Sequence, residues 1–190
     1  MDSRVELKVL GITYSQVQKG AYALLLSQVD GPYRIPVVVG VAEAQSIAMK
    51  LENIIPPRPM SHDLMVSLFH AFGISLEQVF IYKFHDGTFL SELTLKGKDA
   101  EITLDSRTSD AIALAVRTDA RIFTTQEILQ ETGFIVDKDD EANSASTTVP
   151  DEPSLEQLKK RLAYYVEKEE YERAAKIKKI IDDRTGNAKN

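Results

Sequence analysis

The chain has 190 residues, 43% of them hydrophobic and 27% charged, with a formal net charge of −6 and no cysteine. This suits a globular domain of ordinary size with an appendage, and it excludes disulfides, zinc–thiolate centres and thiol nucleophiles. The start, Met1-Asp2-Ser3-Arg4-Val5, lacks the basic and apolar regions of a secretory leader. Together with the missing cysteines this makes a cytoplasmic setting the expectation. No apolar run is long enough to span a bilayer, so no membrane partner is expected.

Charge is unevenly spread. Residues 1–135 carry 12 Lys+Arg and 16 Asp+Glu, residues 136–153 carry 1 and 6, and residues 154–190 carry 10 and 7. The main segment therefore has no basic surface to draw in a polyanion over distance. Nucleic acid, if a partner, must be held by local contacts.

In chain order, Val5, Leu7 and Val9 alternate with polar residues, Tyr22–Leu26 is apolar, and Arg34–Val39 runs up to Gly40. These predict strands, the last at an edge or irregular because of Pro36. Val41, Ala44, Ile47, Ala48 and Leu51 recur at helical spacing, and Pro56-Pro57-Arg58-Pro59 stops that helix. A second helix is expected from Ser61 as N-cap, burying Leu64, Leu68, Phe69 and Phe72 and ending near Gly73. Phe80–Phe84, the turn His85-Asp86-Gly87-Thr88 and Phe89–Lys96 predict a hairpin, with Ala100, Ile102 and Leu104 as a third strand. A helix over Thr108–Thr118, a short strand at Arg121–Phe123 and a helix from Gln126 follow.

Without regular βαβ alternation, the expectation is an α+β domain over residues 1–135, with helices packed on a mixed or largely antiparallel sheet. Residues 136–153 are acidic and proline-bounded, as in a solvated linker. Residues 154–185 pattern as two short amphipathic helices, opened by a Ser154/Gln157 capping box, in an antiparallel hairpin. So small a unit buries too little to stand alone and should find a partner in another copy, the main domain or another protein.

Two runs carry the clue to chemistry. Arg58-Pro59-Met60-Ser61-His62-Asp63 and Arg107-Thr108-Ser109-Asp110 each set an arginine ahead of a hydroxyl residue, with an aspartate in the first helical turn. Arginine forks match phosphate oxygens, and carboxylates can hold a metal or move a proton. The plainer reading stands beside it: Asp63, Asp110 and Glu43 all suit a helix N-terminus through the dipole, and Arg58 and Arg107 could simply pair with those acids. His70 and His85 look incidental. No P-loop, dinucleotide fingerprint or other established catalytic pattern is present, and Lys176, Lys178 and Lys179 read as the solvated face of a helix.

Gly40-Val41-Ala42-Glu43-Ala44-Gln45-Ser46-Ile47-Ala48, Pro57-Arg58-Pro59-Met60-Ser61-His62-Asp63-Leu64 and Ser109-Asp110-Ala111-Ile112-Ala113-Leu114-Ala115 resemble the three signature blocks of the bifunctional nuclease family. The resemblance covers about residues 5–132. It departs at Asp105-Ser106-Arg107-Thr108-Ser109-Asp110, where the family pattern has proline in place of Thr108. It implies a self-associating α+β domain that hydrolyses phosphodiesters in DNA or RNA. Glu43, His62, Asp63, Asp105 and Asp110 would then be the catalytic candidates, with His62 as proton carrier. Arg58 and Arg107 would be the phosphate clamps, and Asp63, Asp105 and Asp110 ligands for Mg²⁺ or Mn²⁺. Tyr171-Glu172-Arg173-Ala174-Ala175-Lys176-Ile177-Lys178 is similar to the helical hairpin of the UvrB and UvrC repair proteins, which implies a protein partner. The alternative is a non-catalytic oligomeric adaptor that recruits partners through this hairpin.

Overall fold

The computed structural model describes residues 4–15 and 20–135, together with Lys159, Leu162, Val166, Ala175, Ile177, Lys178, Lys179 and Ile181, each helical. The expected linker lies outside the described residues, as does the hairpin apart from those isolated positions. The chain divides into two units, Met1–Val149 and Pro150–Asn190.

Eight strands form one sheet. β1 (Arg4–Tyr14), β2 (Tyr22–Gln28) and β3 (Tyr33–Val39) make an antiparallel meander, followed by the helices α1 (Val41–Leu51) and α2 (Ser61–Ala71). A second antiparallel meander, β4 (Ser75–His85), β5 (Thr88–Lys96) and β6 (Glu101–Arg107), leads into α3 (Thr108–Thr118). β7 (Arg121–Thr125) then inserts between the two meanders, parallel to β4 and antiparallel to β1. α4 (Gln126–Thr132) and β8 (Phe134–Ile135) finish the unit, giving the strand order β6-β5-β4-β7-β1-β2-β3-β8. The α+β architecture with a mostly antiparallel sheet is the one expected from the pattern.

One core joins sheet and helices. Leu7, Leu24, Leu26, Ile35, Val79, Ile81 and Leu93 from the strands meet Ala44 and Ile47 of α1 and Ala111–Ala115 of α3. The run of alanines lets α3 lie close on its neighbours. α1 and α2 both pack on α3, which brings their first turns together.

Local details differ from the sequence reading for identifiable reasons. β4 begins at Ser75 rather than Phe80, because the register shifts between Leu76 and Gln78 and again between Ile81 and Lys83, which breaks the two-residue alternation. The N-cap of α2 is Met60 rather than Ser61, and the Met60 amide donates to Asp63 Oδ2 at 2.8 Å. Leu64, Leu68 and Phe72, expected to be buried, face outward; Phe72 is 76% exposed. The Asp86-Gly87 turn has positive φ at both residues (48° and 76°), as a two-residue hairpin requires. Pro36 pairs only with β2, because β8 covers β3 no further than Arg34. No helix among the described residues is long and apolar enough to cross a membrane.

Candidate functional site

Three helix entrances meet. α1 brings Glu43 and Ser46, α2 brings His62 and Asp63, and α3 brings Asp110 just after Arg107, with Arg117 two turns further along. Asp110 and Arg117 are seven residues apart and so share a face of α3.

Arg107 holds the outer half of the cluster. Its Nε donates to Asp110 Oδ2 at 2.7 Å, and its Nη2 donates to Asp110 Oδ1 at 3.1 Å and to Glu43 Oε1 at 2.9 Å. The side chain is 69% exposed. Its Nη1 makes no hydrogen bond among the described residues, which leaves two N–H donors facing outward. Glu43 folds back against Gly40, so that a Cβ built on Gly40 would lie 2.5 Å from Glu43 Oε2.

Arg117 holds the inner half. Nε donates to Asp63 Oδ1 at 2.7 Å, and Nη2 donates to the Ser46 carbonyl at 3.0 Å and Ser46 Oγ at 2.9 Å. Nη1 donates to the Ala113 carbonyl at 2.8 Å. One guanidinium thus ties all three helices together. Ser46 and Arg117 were not singled out in the sequence. The available signal was the arginine that follows the apolar run Ala111–Val116 of α3, in helical phase with Asp110.

His62 links the halves. Nδ1 lies 2.9 Å from Ser46 Oγ and Nε2 lies 3.1 Å from Asp110 Oδ1. The ring is buried, so both nitrogens are committed to protein partners.

The electrostatics follow from these contacts. The hydrogen bond from Arg117 lowers the pKa of Asp63 below its ordinary carboxyl value, against a partial burial that raises it, and the Met60 amide adds to the lowering. For Asp110, burial pushes the carboxyl up, but hydrogen bonds from Arg107 and His62 outweigh it and the net shift is downward. The Asp110 and Glu43 carboxylates raise the pKa of Arg107. Three carboxylates (Glu43, Asp63, Asp110) against two guanidiniums (Arg107, Arg117) leave the cluster one negative charge when His62 is neutral.

The structure therefore brings together Glu43, His62, Asp63, Arg107 and Asp110 of the expected site, and it leaves two residues out. Asp105 is exposed on β6, opposite Glu92 of β5, and accepts from the Tyr82 hydroxyl at 3.4 Å. Along an extended strand it shares a side with Glu92 rather than with the buried Leu93 against which α3 packs. Arg58 is exposed on the proline-rich connection between α1 and α2 and makes no ion pair among the described residues. The proposed ligand set Asp63, Asp105 and Asp110 is not assembled. Both oxygens of Asp63 are taken by Arg117 and Met60, and no group of three or more His, Asp or Glu side chains suited to a metal occurs among the described residues. This donor arrangement does not fit a resident Mg²⁺ or Mn²⁺, and no step below passes through one.

Comparison with known proteins agrees with the signature blocks. Two proteins of Mycobacterium tuberculosis described as uncharacterized, MT1877 of strain CDC 1551 / Oshkosh and Rv1829 of strain ATCC 25618 / H37Rv, are each 34% identical over 157 residues. The alignment covers 83% of this chain and 92% of each relative. The family profile described as the bifunctional nuclease domain matches residues 24–137, which hold Glu43, Ser46, His62, Asp63, Arg107, Asp110 and Arg117. With more than half its length inside that match, the chain belongs to the bifunctional nuclease domain family.

Proposed function

We propose that the domain hydrolyses phosphodiester bonds in DNA or RNA at the cluster formed by Asp110, Arg107 and Glu43. The observation that carries this reading is the outward half of the network. A half-exposed pair, Asp110 (25%) and Arg107 (69%), presents a carboxylate and two spare guanidinium N–H groups side by side. Asp110 Oδ2, which among the described residues accepts only from Arg107 Nε and keeps a lone pair, takes a proton from water as the water oxygen bonds to phosphorus. Arg107 Nη1 donates to the non-bridging oxygens as charge grows on them, and Glu43 keeps that guanidinium in place. When the P–O bond breaks, the leaving oxygen takes the proton back from Asp110. Arg58, on its stiff connection, contacts a neighbouring phosphate.

Residues 154–185 form the accompanying protein-binding hairpin in this reading, on the strength of their amphipathic pattern and their similarity to the UvrB and UvrC hairpin. Self-association and a cytoplasmic setting complete it.

Cleavage of dye-labelled single-stranded DNA and RNA tests the proposal, run with Mg²⁺, with Mn²⁺ and with chelator to settle the question of a cation. Asp110→Asn and Arg107→Ala should each lower the rate about 100-fold while the far-UV spectrum is unchanged. Equal cleavage by wild type and Asp110→Asn would reject the site.

A binding role is favoured by a different observation. Leu64, Leu68 and Phe72 of α2 form an outward apolar stripe, exposed by 47% to 76%, of the kind that marks interaction surfaces. Absence of cleavage, together with an oligomer that falls apart in Phe72→Lys, would select the adaptor reading.

A further inference from the structure

We propose that Ser46 and Arg117 are positioning residues that hold the His62 proton on Nε2, directed at Asp110, and through it fix the carboxylate that meets solvent. The tautomer stands on hydrogen-bond geometry alone; its effect on rate rests on the hydrolase reading above.

The argument is a count of protons. Arginine has donors and no acceptor, so the 2.9 Å contact between Arg117 Nη2 and Ser46 Oγ uses a lone pair of the hydroxyl. That hydroxyl has one proton, and its other partner is His62 Nδ1 at 2.9 Å. Ser46 Oγ has no other acceptor for that proton among the described residues, so the serine donates to Nδ1, which carries no proton of its own. In the neutral ring the proton is on Nε2, from which it donates to Asp110 Oδ1 at 3.1 Å.

The other neutral tautomer fails twice. It would set the Nε2 lone pair against an ionised carboxylate, and it would leave the Ser46 proton without an acceptor. Ser46 is 1% exposed, so solvent cannot repair that loss.

The protons thus point one way along a chain that crosses three helices, from Arg117 to Ser46 to His62 to Asp110. Hydrogen bonds aligned in this manner polarise and strengthen one another. Asp63 anchors the far end by holding Arg117 Nε at 2.7 Å. It follows that His62, with Nδ1 bonded and Nε2 protonated, is not the group that receives a proton from water. It serves as the clamp for the group that does.

Nitrogen shifts decide the matter in the full chain. With three histidines in the protein, ¹⁵N-labelled His62 is readily assigned. Wild type should show an unprotonated Nδ1 and a protonated Nε2 in a two-bond ¹H–¹⁵N correlation. Ser46→Ala, and Arg117→Lys, which keeps the charge but loses the fork, should each shift the nitrogen pair towards a measurable Nδ1-protonated fraction, held in check only by the Asp110 carboxylate that remains. A protonated Nδ1 in wild type, or an unchanged tautomer in folded Ser46→Ala, would overturn the inference.

The rate arm uses a conservative rescue. The amide of His62→Gln can still donate to Asp110 and accept from Ser46, so it should recover most of the activity lost in His62→Ala, with kcat rather than KM changing. Equal loss in the two variants would restore His62 as proton carrier. If wild type cleaves nothing, the hydrolase reading falls while the nitrogen shifts still judge the tautomer.

Discussion

Arg117 and Asp63 form an ion pair of 2.7 Å in which the arginine side chain is only 6% exposed and the aspartate 30%. A charge so deeply placed is tolerated because each guanidinium nitrogen has an acceptor, drawn from α1, α2 and α3. Removing either partner leaves the other without its neutralising charge, and the two losses are unequal. Arg117→Ala strands the Asp63 carboxylate and frees the Ser46 and Ala113 carbonyls, and it should lower the unfolding free energy by about 3 kcal/mol. Asp63→Asn keeps an acceptor for Nε and should cost about 1–2 kcal/mol. Urea unfolding of the two variants checks the order.

Acid should weaken the domain in a defined window. The carboxyl pKa values of Asp63 and Asp110 are both lower in the folded state than the ordinary 3.8. The unfolded chain therefore takes up protons first as pH falls. The stability these groups contribute is complete above the ordinary carboxyl value and is lost as pH drops through their folded values. The urea midpoint should decline below about pH 4, and Asp63→Asn should flatten that decline. An identical acid limb in wild type and Asp63→Asn would contradict the assignment.

Gly40 is held to a small residue by its neighbour, not by its backbone. Its φ of −69° suits any residue, but Glu43 lies where a Cβ would go. Gly40→Ala should push the Glu43 carboxylate from Arg107 and cost at most about 1 kcal/mol, as expected for a partly exposed ion pair. Under the hydrolase reading it should also reduce cleavage in proportion to Glu43→Gln. Thermal unfolding and the cleavage assay on the two variants test both parts.

The two aspartates that flank Arg107 five residues apart, Asp105 and Asp110, should separate cleanly. Asp105→Asn, on the strand beside Tyr82, should leave cleavage within about twofold of wild type, whereas Asp110→Asn should lower it about 100-fold. Similar losses in both would place the site elsewhere.

Much of this was legible from residue order. The two meanders, the Asp-Gly hairpin and the α3 boundaries follow from periodicity and turn chemistry, which act locally. The two distant arginine–aspartate runs do come into contact, with His62 on Asp110 and Arg107 bridging Asp110 and Glu43, since each of these residues lies at a helix entrance and the entrances converge. Three things were not legible. Asp105 is near Arg107 in sequence but on a strand, where neighbouring side chains alternate sides, so proximity along the chain misled. Of the plainer ion pairs left open, Arg107 makes one with Asp110 and Glu43, but Asp63 pairs with Arg117, because the buried end of α3 offers a drier, more enclosing partner than a surface loop does. The outward face of α2 was read as core, since an apolar stripe at helical spacing does not say which side of the helix is covered.

The position of β7 sets the order in which the molecule can be completed. Glu43, Ser46, His62 and Asp63 follow the first meander, Arg107 and Asp110 follow the second, and the strand that sits between the meanders is the last long one in the sheet. A ribosome must therefore release the chain past Thr125 before the halves can be stitched side by side. Shorter nascent lengths expose two unmatched sheet borders, which makes late synthesis the interval in which this domain is most open to chaperones and to misassembly.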